Sequence, residues 1–334
     1  MQPPDRKKDS SIPASARSAP AGGGRRDHVV RGILFMIGAT VLLAISNALS
    51  KWVVAIYPVG EVMFARSLSS LIVASAFMLP ITGLSVFATK RPRDHLARGL
   101  SQSISQTFTV IAFSLMPLAS ATAINFSAPL FSALVSVIFL KERAGAARWG
   151  TLLAGFAGVL IVVRPGADTF QLGAVFALAN AVMYGSVTVA VRGMSKTESA
   201  NTLLMWQMVT LAVFHSFLLV FGFRLPTLHH AALLASSGAA NAAGQFLWTK
   251  ALHAAPATAV SPFYYFLLVW SLLIGFLVWG DVPSVNLLIG SSIVVASGLF
   301  LLYREAQREP APAAATVTGP AALPRPEPAV VRNG

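Results

Sequence analysis

The fold is decided by one stretch, Ala112 to Gly166, which reads AFSLMPLASATAINFSAPLFSALVSVIFLKERAGAARWGTLLAGFAGVLIVVRPG. It holds the end of one apolar span, a break at Pro117, a second span, a charged corner of sequence KER and a third span. A fainter copy follows later in the chain. At one constant offset it has Pro256 in the place of Pro117 and Asp281 in the place of Glu142. The chain is therefore predicted to be an internal duplication of apolar spans.

The composition indicates a membrane protein. Of the 334 residues, 55% are hydrophobic and only 11% are charged, whereas soluble domains carry about 25% charged residues. The formal net charge of +13 does not indicate nucleic-acid binding, because many basic residues collect in the tails and in loops on one side, as they do in membrane proteins. The absence of cysteine excludes disulfides, thiolate metal sites and cysteine nucleophiles. No cofactor is expected.

A helix that crosses a membrane needs about 20 apolar residues. With that window the sequence predicts an all-α, polytopic membrane protein of ten transmembrane helices, with prolines at or beside most of the breaks. The predicted spans are 31–55, 60–80, 97–116, 119–140, 147–164, 172–191, 200–222, 230–252, 257–279 and 285–303. Residues 1–30 and 305–334 are predicted to be disordered cytoplasmic tails, the first basic and the second rich in Pro and Ala.

Loop charges predict the orientation. With the amino terminus inside, ten Lys and Arg residues fall in inward loops and two in outward loops, as the positive-inside rule requires. The inward set is Lys90, Arg91, Arg93, Arg98, Lys141, Arg143, Arg148, Arg192, Lys196 and Lys250, and the outward set is Arg164 and Arg224. Each half has five spans, an odd number, so the second half (167–304) must be inserted upside down relative to the first (31–166). We therefore expect two inverted five-helix repeats with both termini cytoplasmic.

Two five-helix halves, each ending in a Pro-initiated span, an acidic corner and a Gly-rich span, resemble the EamA-type, ten-helix family of the drug/metabolite transporter superfamily. The matching residues are Ala121, Pro129, Glu142, Arg143, Gly150, Gly155 and Gly158 in the first copy and Pro256, Asp281, Gly290 and Gly298 in the second. The second copy departs from the pattern at Leu268, where Pro129 would recur, and at Asp281, which replaces glutamate. The resemblance implies a multi-pass transporter of the bacterial inner (plasma) membrane, in a family that moves amino acids, nucleoside-like molecules, vitamins and drugs.

Four amide side chains are the first candidates for solute binding, because polar groups inside a span are costly and are often functional. Gln102 and Gln106 share one face of the third span. Asn241 and Gln245 repeat them on the eighth span, at the offset that pairs Pro117 with Pro256. Symmetry-related positions are where a central site should form. The alternative is that these amides join neighbouring helices, each contributing about 1 kcal/mol.

Three charged residues near the predicted outer end are the next candidates. Arg66 lies inside the second span, a little after Glu61, and Lys51 lies near the outer end of the first span. We expect a cationic patch that attracts a carboxylate or phosphate, with Glu61 pairing one of the cations as a gating or charge pair. The alternative is that Lys51 and Arg66 extend their charges to the membrane interface.

Other polar and aromatic residues complete the candidate set. Trp206 and Tyr265 lie deep enough in their spans to stack against a planar ring, although aromatic residues near span ends are often interfacial. Asn125 and Asn180 are further solute-binding candidates, with hydrogen bonding between helices as the alternative. His215 is expected to be hydrogen-bonded structure rather than a proton relay.

A stripe of small residues lies on the fifth span and is formed by Gly150, Ala154 and Gly158. Small residues repeated on one face let two helices approach closely, so we expect this stripe to be a packing surface.

We expect a secondary transporter that moves a small metabolite by alternating access, one half rocking against the other around a midplane cavity lined by spans one to four and six to nine. The predicted solute is amino-acid-like or vitamin-like and bears an anionic group. Import of S-adenosylmethionine or riboflavin and export of amino acids or drugs both stay open, as the resemblance allows either. No carboxylate lies in the middle of a predicted span, so passive exchange also stays open.

The rival classes are a membrane-embedded enzyme and a receptor. The sequence shows neither a metal motif such as HExxH nor a clustered nucleophile and base, and an inverted duplication favours transport. The expected partners are a small-molecule solute and the lipid bilayer, without nucleic acid, and with a homodimer left open. No metal site is expected.

Overall fold

The structure, a computed structural model, describes residues 23–139, 145–164, 172–194, 197–255 and 257–308. The KER corner, Pro256 and both outer tails (1–22 and 309–334) lie outside the described residues. Over the described ranges the fold is all-α, as predicted, and contains no strand.

Twelve α-helices are found in these ranges. They are α1 (Gly23–Val54), α2 (Val59–Thr82), α3 (Pro92–Leu115), α4 (Leu118–Asn125), α5 (Ala128–Phe139), α6 (Ala146–Val163), α7 (Leu172–Met194), α8 (Ala200–Phe217), α9 (Leu228–Ala254), α10 (Ala257–Val260), α11 (Phe266–Trp279) and α12 (Val285–Arg308). Three short 3₁₀ segments, Gly83–Phe87, Leu218–Phe221 and Ser261–Tyr265, follow α2, α8 and α10. The first helix begins at Gly23, within the predicted tail and ahead of the predicted span.

Two of the predicted spans are broken in the structure, which the apolar pattern alone did not predict. The span predicted at 119–140 is divided between α4 and α5, and the one predicted at 257–279 between α10, a 3₁₀ segment and α11. Pro129 and Pro262 lie at these interruptions, and proline removes a backbone donor and clashes with the preceding turn of a helix. At the first break the Ser127 hydroxyl donates to the Ile124 carbonyl at 2.6 Å, which satisfies an acceptor at the end of α4.

Seven stretches of the described chain are long and apolar enough to cross a membrane. They are His28–Val54, Val59–Phe87, Leu118–Val135, Ala146–Val163, Ala200–Phe221, Ser261–Trp279 and Val285–Arg304. Helices α3, α7 and α9 fall outside this set. These three helices carry five of the predicted polar candidates: Gln102, Gln106, Asn180, Asn241 and Gln245. The three helices outside this set are therefore the ones that carry most of the polar candidates for solute binding.

Glycines set the closest helix contacts. A Cβ added at Gly238 of α9 would come closer than 3.0 Å to the Arg66 carbonyl oxygen and to Ser69 on α2, and a Cβ at Gly99 of α3 would meet Thr210 on α8 as closely. Gly99 and Gly238 are equivalent in the two copies, since they share the offset of Pro117 and Pro256. Ser69 and Thr210 share the slightly larger offset that applies nearer the start of each half. The same kind of close contact therefore occurs twice, once at each pair of helices.

The predicted small-residue stripe is only partly a packing surface. A Cβ at Gly158 would lie 2.9 Å from the Gly290 carbonyl oxygen, so α6 and α12 cross backbone to backbone at that point. A Cβ at Gly155 would press on Leu130 of α5. Gly150, by contrast, has no atom of the described residues within 4 Å of an added Cβ. The close contacts thus involve Gly155 and Gly158, and the prediction for Gly150 was wrong.

Candidate functional site

Arg66 forms the centre of the first polar cluster. It lies in the second turn of α2, and only 7% of its surface is exposed. Its Nη2 donates to the Asn241 side-chain oxygen of α9 at 2.9 Å, and its Nη1 donates to the Ser50 hydroxyl of α1 at 3.4 Å. Its Nε has no hydrogen-bond partner among the described residues. Two residues predicted separately to bind solute, Arg66 and Asn241, are therefore in direct contact.

Serine hydroxyls extend this cluster into a seam between α1, α2 and α9. The Asn241 side-chain nitrogen donates to the Ser70 hydroxyl at 3.2 Å, and Ser70 donates to the Gly238 carbonyl at 2.8 Å. On the other side, the hydroxyls of Ser50 and Ser237 lie 2.9 Å apart. All of these partners are neutral. Among the described residues no carboxylate forms an ion pair with Arg66.

The predicted pair of Lys51 and Glu61 is not formed in this structure. The Lys51 Nζ donates to the carbonyls of Phe113 and Met116, at 3.0 Å and 2.7 Å, at the carboxyl end of α3. The Glu61 carboxylate, 2% exposed, accepts the backbone N–H of Arg224 at 2.9 Å. The Lys51 cation thus satisfies carbonyls that have no partner within the helix at the end of α3, and the Glu61 carboxylate satisfies a backbone N–H in the segment before α9. The two residues stabilise separate turns at the same end of the bundle.

A second polar cluster joins α3, α7 and α4. The Ser105 hydroxyl donates to the side-chain oxygen of Asn180, whose nitrogen donates to the side-chain oxygen of Asn125 at 2.7 Å. Gln102 and Gln106 lie beside Ser105 on the same face of α3. Asn125 is the last residue of α4, at the break described above, so the interruption places its side chain against α7.

The four predicted amides are divided between two helix groups. Asn241 and Gln245 belong to α9, which packs along α1 and α2, while Gln102 and Gln106 belong to α3, which packs along α7 and α8. Each group combines helices from both halves of the sequence. Within the described chain the side chains of Gln102, Gln106 and Gln245 make no hydrogen bond to protein, although Gln102 is buried. The packing thus leaves three amides unpaired in the interior or at its edge.

The two predicted aromatic residues lie apart from each other. The Trp206 indole donates to the Phe87 carbonyl at 3.2 Å and stacks on His95 with 5.2 Å between ring centroids. Tyr265 packs against Phe126 at 4.9 Å between centroids, and its hydroxyl approaches Gly298 of α12. Their positions give no shared stacking surface for one ring.

His215 joins three helices, as the structural interpretation predicted. Its ring is fully buried on α8, with Nδ1 2.6 Å from the Ser67 hydroxyl of α2 and Nε2 3.3 Å from the Ser103 carbonyl of α3. Each ring nitrogen therefore lies within hydrogen-bond reach of a group on a neighbouring helix.

Arg98 is the polar residue whose position the sequence interpretation missed. It lies at the very edge of the predicted span 97–116 and is counted among the loop charges, but α3 begins at Pro92, so Arg98 lies in the second turn of the helix and is only 9% exposed. Its guanidinium donates to the Leu203 carbonyl at 3.0 Å and to the side-chain oxygen of Gln207, both on α8. Proline is favoured at the first position of a helix, so Pro92 was the signal that the helix begins earlier and that Arg98 lies within it rather than at its edge.

A cavity of about 450 Å³ lies beside Arg98, between α3 and α7. Its polar lining consists of Arg91, Asp94, Arg98, Ser101 and Ser186, and the rest is apolar. A smaller cavity of about 230 Å³ between α1, α2, α8 and α9 has an almost entirely apolar lining. Between these two, only the cavity between α3 and α7 offers groups that can bind a charged solute.

Comparison with known proteins identifies the family. The model of the EamA-like transporter family matches the chain twice, over residues 30–164 and 171–304. The chain belongs to this family. It is accordingly a multi-pass membrane transporter, and the predicted resemblance is confirmed.

Curated relatives cover nearly the whole protein. This EamA-like transporter is 28% identical to a riboflavin transporter of Rhizobium johnstonii over 86% of this chain and 95% of that protein. It is 28% identical to an S-adenosylmethionine uptake transporter of Rickettsia bellii, over 82% and 94% respectively, and 27% identical to the pseudopaline exporter CntI of Pseudomonas aeruginosa, over 82% and 97%. A crystal structure described only as that of a protein covers 85% of this chain and all of its own, with a TM-score of 0.57 and 21% identity; this likeness concerns the fold alone.

Proposed function

We propose that this EamA-like protein is a secondary transporter of the bacterial inner membrane that moves a small metabolite bearing an anionic group. The relatives are named for riboflavin, S-adenosylmethionine and pseudopaline, which supports a metabolite of this size rather than an ion or a macromolecule. Because the relatives include both uptake proteins and an exporter, flux has to be measured in both directions.

The proposal includes ten spans in two inverted halves, with both termini cytoplasmic. The broken pairs α4–α5 and α10–α11 each count as one span, and α3, α7 and α9 cross the membrane as polar spans inside the bundle. The repeated glycine contacts support inversion, because the contact of α2 with α9 then has its counterpart in the contact of α8 with α3. The loop charges, mostly on one side, support the orientation.

Arg66 carries the proposal of an anionic solute. A buried guanidinium inside a membrane is costly unless it is paired, yet the partners of Arg66 are the neutral Asn241 and Ser50, and its Nε has none. A carboxylate or phosphate of the solute would supply the missing charge and form a charge-assisted hydrogen bond, which contributes about 1.5–3 kcal/mol.

The remaining candidates are assigned by their free hydrogen-bonding capacity. The polar part of the solute would contact the three amides that are unpaired within the described chain, Gln102, Gln106 and Gln245. Asn125, held by its hydrogen bond to Asn180, would contact the solute on the same side as Gln102 and Gln106. Tyr265 would face an apolar or ring portion, while Trp206, already bonded to the Phe87 carbonyl, would act at the edge.

Contacts between the two halves would close the outer end. Glu61 bonds to the backbone of Arg224, and the Tyr57 hydroxyl lies 2.9 Å from the Nδ1 of His230. Both contacts join α2 or the turn before it to the segment around the start of α9. Lys51 holds the neighbouring turn between α3 and α4. We assign these contacts to the outer gate, which must open for the solute to reach Arg66 from that side.

The test is binding and flux measured on Arg66→Gln and Arg66→Lys. Thermal unfolding of the detergent-purified protein is followed with S-adenosylmethionine, riboflavin, flavin mononucleotide, amino acids and simple organic cations. A ligand at a hundred times its Kd stabilises the native state by about 2.7 kcal/mol. We expect stabilisation by an anion-bearing compound, weakened about 10- to 150-fold in affinity by Arg66→Gln and less by Arg66→Lys. Arg93→Gln, which removes an exposed cation, is the control and should change nothing.

Flux into proteoliposomes of both orientations completes the test. Equal binding and flux in the wild type and in Arg66→Gln would refute the anionic site. Stabilisation by organic cations alone would reverse the predicted sign of the solute. Binding without flux in either direction would instead indicate a receptor.

A further inference from the structure

We propose that Arg98 and the cavity between α3 and α7 form a second anion-binding site, at the opposite end of the bundle from Arg66. The inference rests on the proposed function, because it treats the cavity as the vestibule through which the same anion-bearing solute enters or leaves. It assigns Arg98 a role in recognising the carboxylate, sulfonate or phosphate of that solute.

The two arginines lie toward different ends of the helices. Arg66 is near the start of α2, close to the turn that follows α1. Arg98 is near the start of α3, close to the turn between α2 and α3. Consecutive helices joined by a short turn run in opposite directions, so these two positions face opposite ends of the bundle. The Leu203 carbonyl at the start of α8, which Arg98 contacts, lies at the same end as Arg98.

The positive charge of Arg98 is not balanced by the other charged residues that line the cavity. Arg91 and Asp94 form an exposed ion pair at 2.6 Å, which cancels their charges at the mouth. Arg98 is buried beyond them, its hydrogen-bond partners are a carbonyl and an amide, and its Nε has no partner in the part of the chain that the structure describes. Within the described ranges it forms no ion pair. The cavity therefore has one net buried positive charge, about 450 Å³ of space and two serine hydroxyls to orient a ligand.

The equivalent position in the second half is closed. Ser237 is the residue that the repeat pairs with Arg98, at the offset of Pro117 and Pro256. Its hydroxyl and carbonyl bond to Ser50 and Ser46 where α9 packs along α1. That seam is joined by serine hydrogen bonds, whereas α3 and α7 separate around the cavity at the corresponding place. The pair α1 and α9 is thus sealed, whereas its counterpart in the repeat, the pair α3 and α7, is open. The residue at the repeated position is Ser237 in the sealed pair and Arg98 in the open one.

The absence of cysteine allows a direct test with a single introduced thiol. Ser101→Cys places that thiol on the cavity wall, and Ser85→Cys places one on the exposed 3₁₀ segment at the same end. Labelling rates are measured with an anionic reagent, methanethiosulfonate ethylsulfonate, and with its trimethylammonium counterpart. The quantity compared is the ratio of the anionic to the cationic rate.

We expect this ratio to be higher at Ser101→Cys than at Ser85→Cys, because a buried cation concentrates anions in a cleft. Adding Arg98→Gln should lower the ratio at Ser101→Cys about tenfold or more, since a unit charge a few ångströms away acts through a low effective dielectric constant. Arg98→Lys should preserve it. Arg91→Gln is the matched control: it also removes one cation, but an exposed and screened one, so its effect should stay below about twofold.

Three outcomes would overturn the inference: no labelling at Ser101→Cys, an unchanged ratio with Arg98→Gln, or an equal fall with Arg91→Gln. Thermal unfolding of each variant confirms that the fold persists. If Arg98→Gln does not fold, Arg98→Met takes its place, with the same expected fall in the ratio. The result is also separable from that for Arg66. If the labelling preference is absent while Arg66→Gln still abolishes solute binding, only the second site is refuted. If the preference persists while Arg66→Gln binds normally, the cavity stands as an anion site without the proposed central one.

Discussion

Replacement of Gly238 by alanine tests whether the close approach of α2 and α9 holds the Arg66 cluster together. An added Cβ would come closer than 3.0 Å to the Arg66 carbonyl oxygen and to Ser69, while ordinary van der Waals contact begins near 3.4 Å. Both obstacles belong to or adjoin the backbone of α2, so no flexible side chain can move aside. The two helices must therefore separate by roughly 0.5–1 Å.

This displacement has two calculable effects. Overpacking of a tight contact costs about 1–3 kcal/mol, of which up to about 1 kcal/mol is offset by the higher helix propensity of alanine. The hydrogen bond from Arg66 to Asn241, now 2.9 Å long, would lengthen beyond the roughly 3.2 Å limit of a good N–H···O bond. We expect Gly238→Ala to lower both the stability of the protein and its affinity for an anionic solute.

Gly150→Ala is the matched control, because Gly150 is also helical and has no atom within 4 Å of an added Cβ. It should leave binding unchanged and raise stability by up to about 1 kcal/mol. Thermal unfolding in detergent reads the difference at about 2–4 °C per kcal/mol, and the anion-bearing ligand reports on the site. If Gly238→Ala unfolds at or above the wild-type temperature and binds normally, the helices are not held at the distance described.

Two further substitutions test the rest of the polar framework. Asn180→Leu should break the link between Ser105 and Asn125, leave buried polar atoms unpaired at about 1–3 kcal/mol, and lower the unfolding temperature. Asn180→Asp keeps the acceptor for the Ser105 hydroxyl but turns a carboxylate oxygen toward the Asn125 oxygen, so it should also lower the unfolding temperature. Equal stability of all three proteins would contradict the hydrogen-bond chain. Lys51→Met should uncap the carboxyl end of α3 and cost about 1.5–3 kcal/mol, measured by the same unfolding assay, whereas Lys51→Arg should restore most of it; an unaffected Lys51→Met would show that the contact is incidental.

The sequence predicted the helical class and the family because both depend on repeated apolar spans and their breaks, which local composition records. It could not place the interruptions inside two spans, since Pro129 and Pro262 were read as residues of continuous apolar runs. It also began the third span at residue 97, because an apolar window discards the polar turn after Pro92. Arg98, the second residue of the predicted span, was therefore counted with the charges of the preceding loop.

The repeat predicted which polar residues matter, but not which partners their side chains would find. Asn241 was selected as the repeat of Gln102, and the contact with Arg66 then depended on how closely α2 and α9 approach, which the position of Gly238 determines. Lys51 and Glu61, by contrast, were paired by charge alone. Both instead bond to backbone groups of neighbouring turns, and such acceptors and donors are present at nearly every residue and leave no mark in the sequence.

The two buried arginines share an asymmetry that bears on transport. Arg66 and Arg98 both belong to the first half of the chain, and the amides that accept from them, Asn241 and Gln207, both belong to the second. If one half rocks against the other, as the inverted repeat predicts, these hydrogen bonds between the halves have to lengthen, which would leave each buried guanidinium without its amide acceptor. An anionic solute that replaces the amide as acceptor would remove that penalty in the intermediate arrangement. On the proposed mechanism, the solute is therefore the group that allows the halves to move, and an unloaded transporter should exchange its two orientations more slowly than a loaded one.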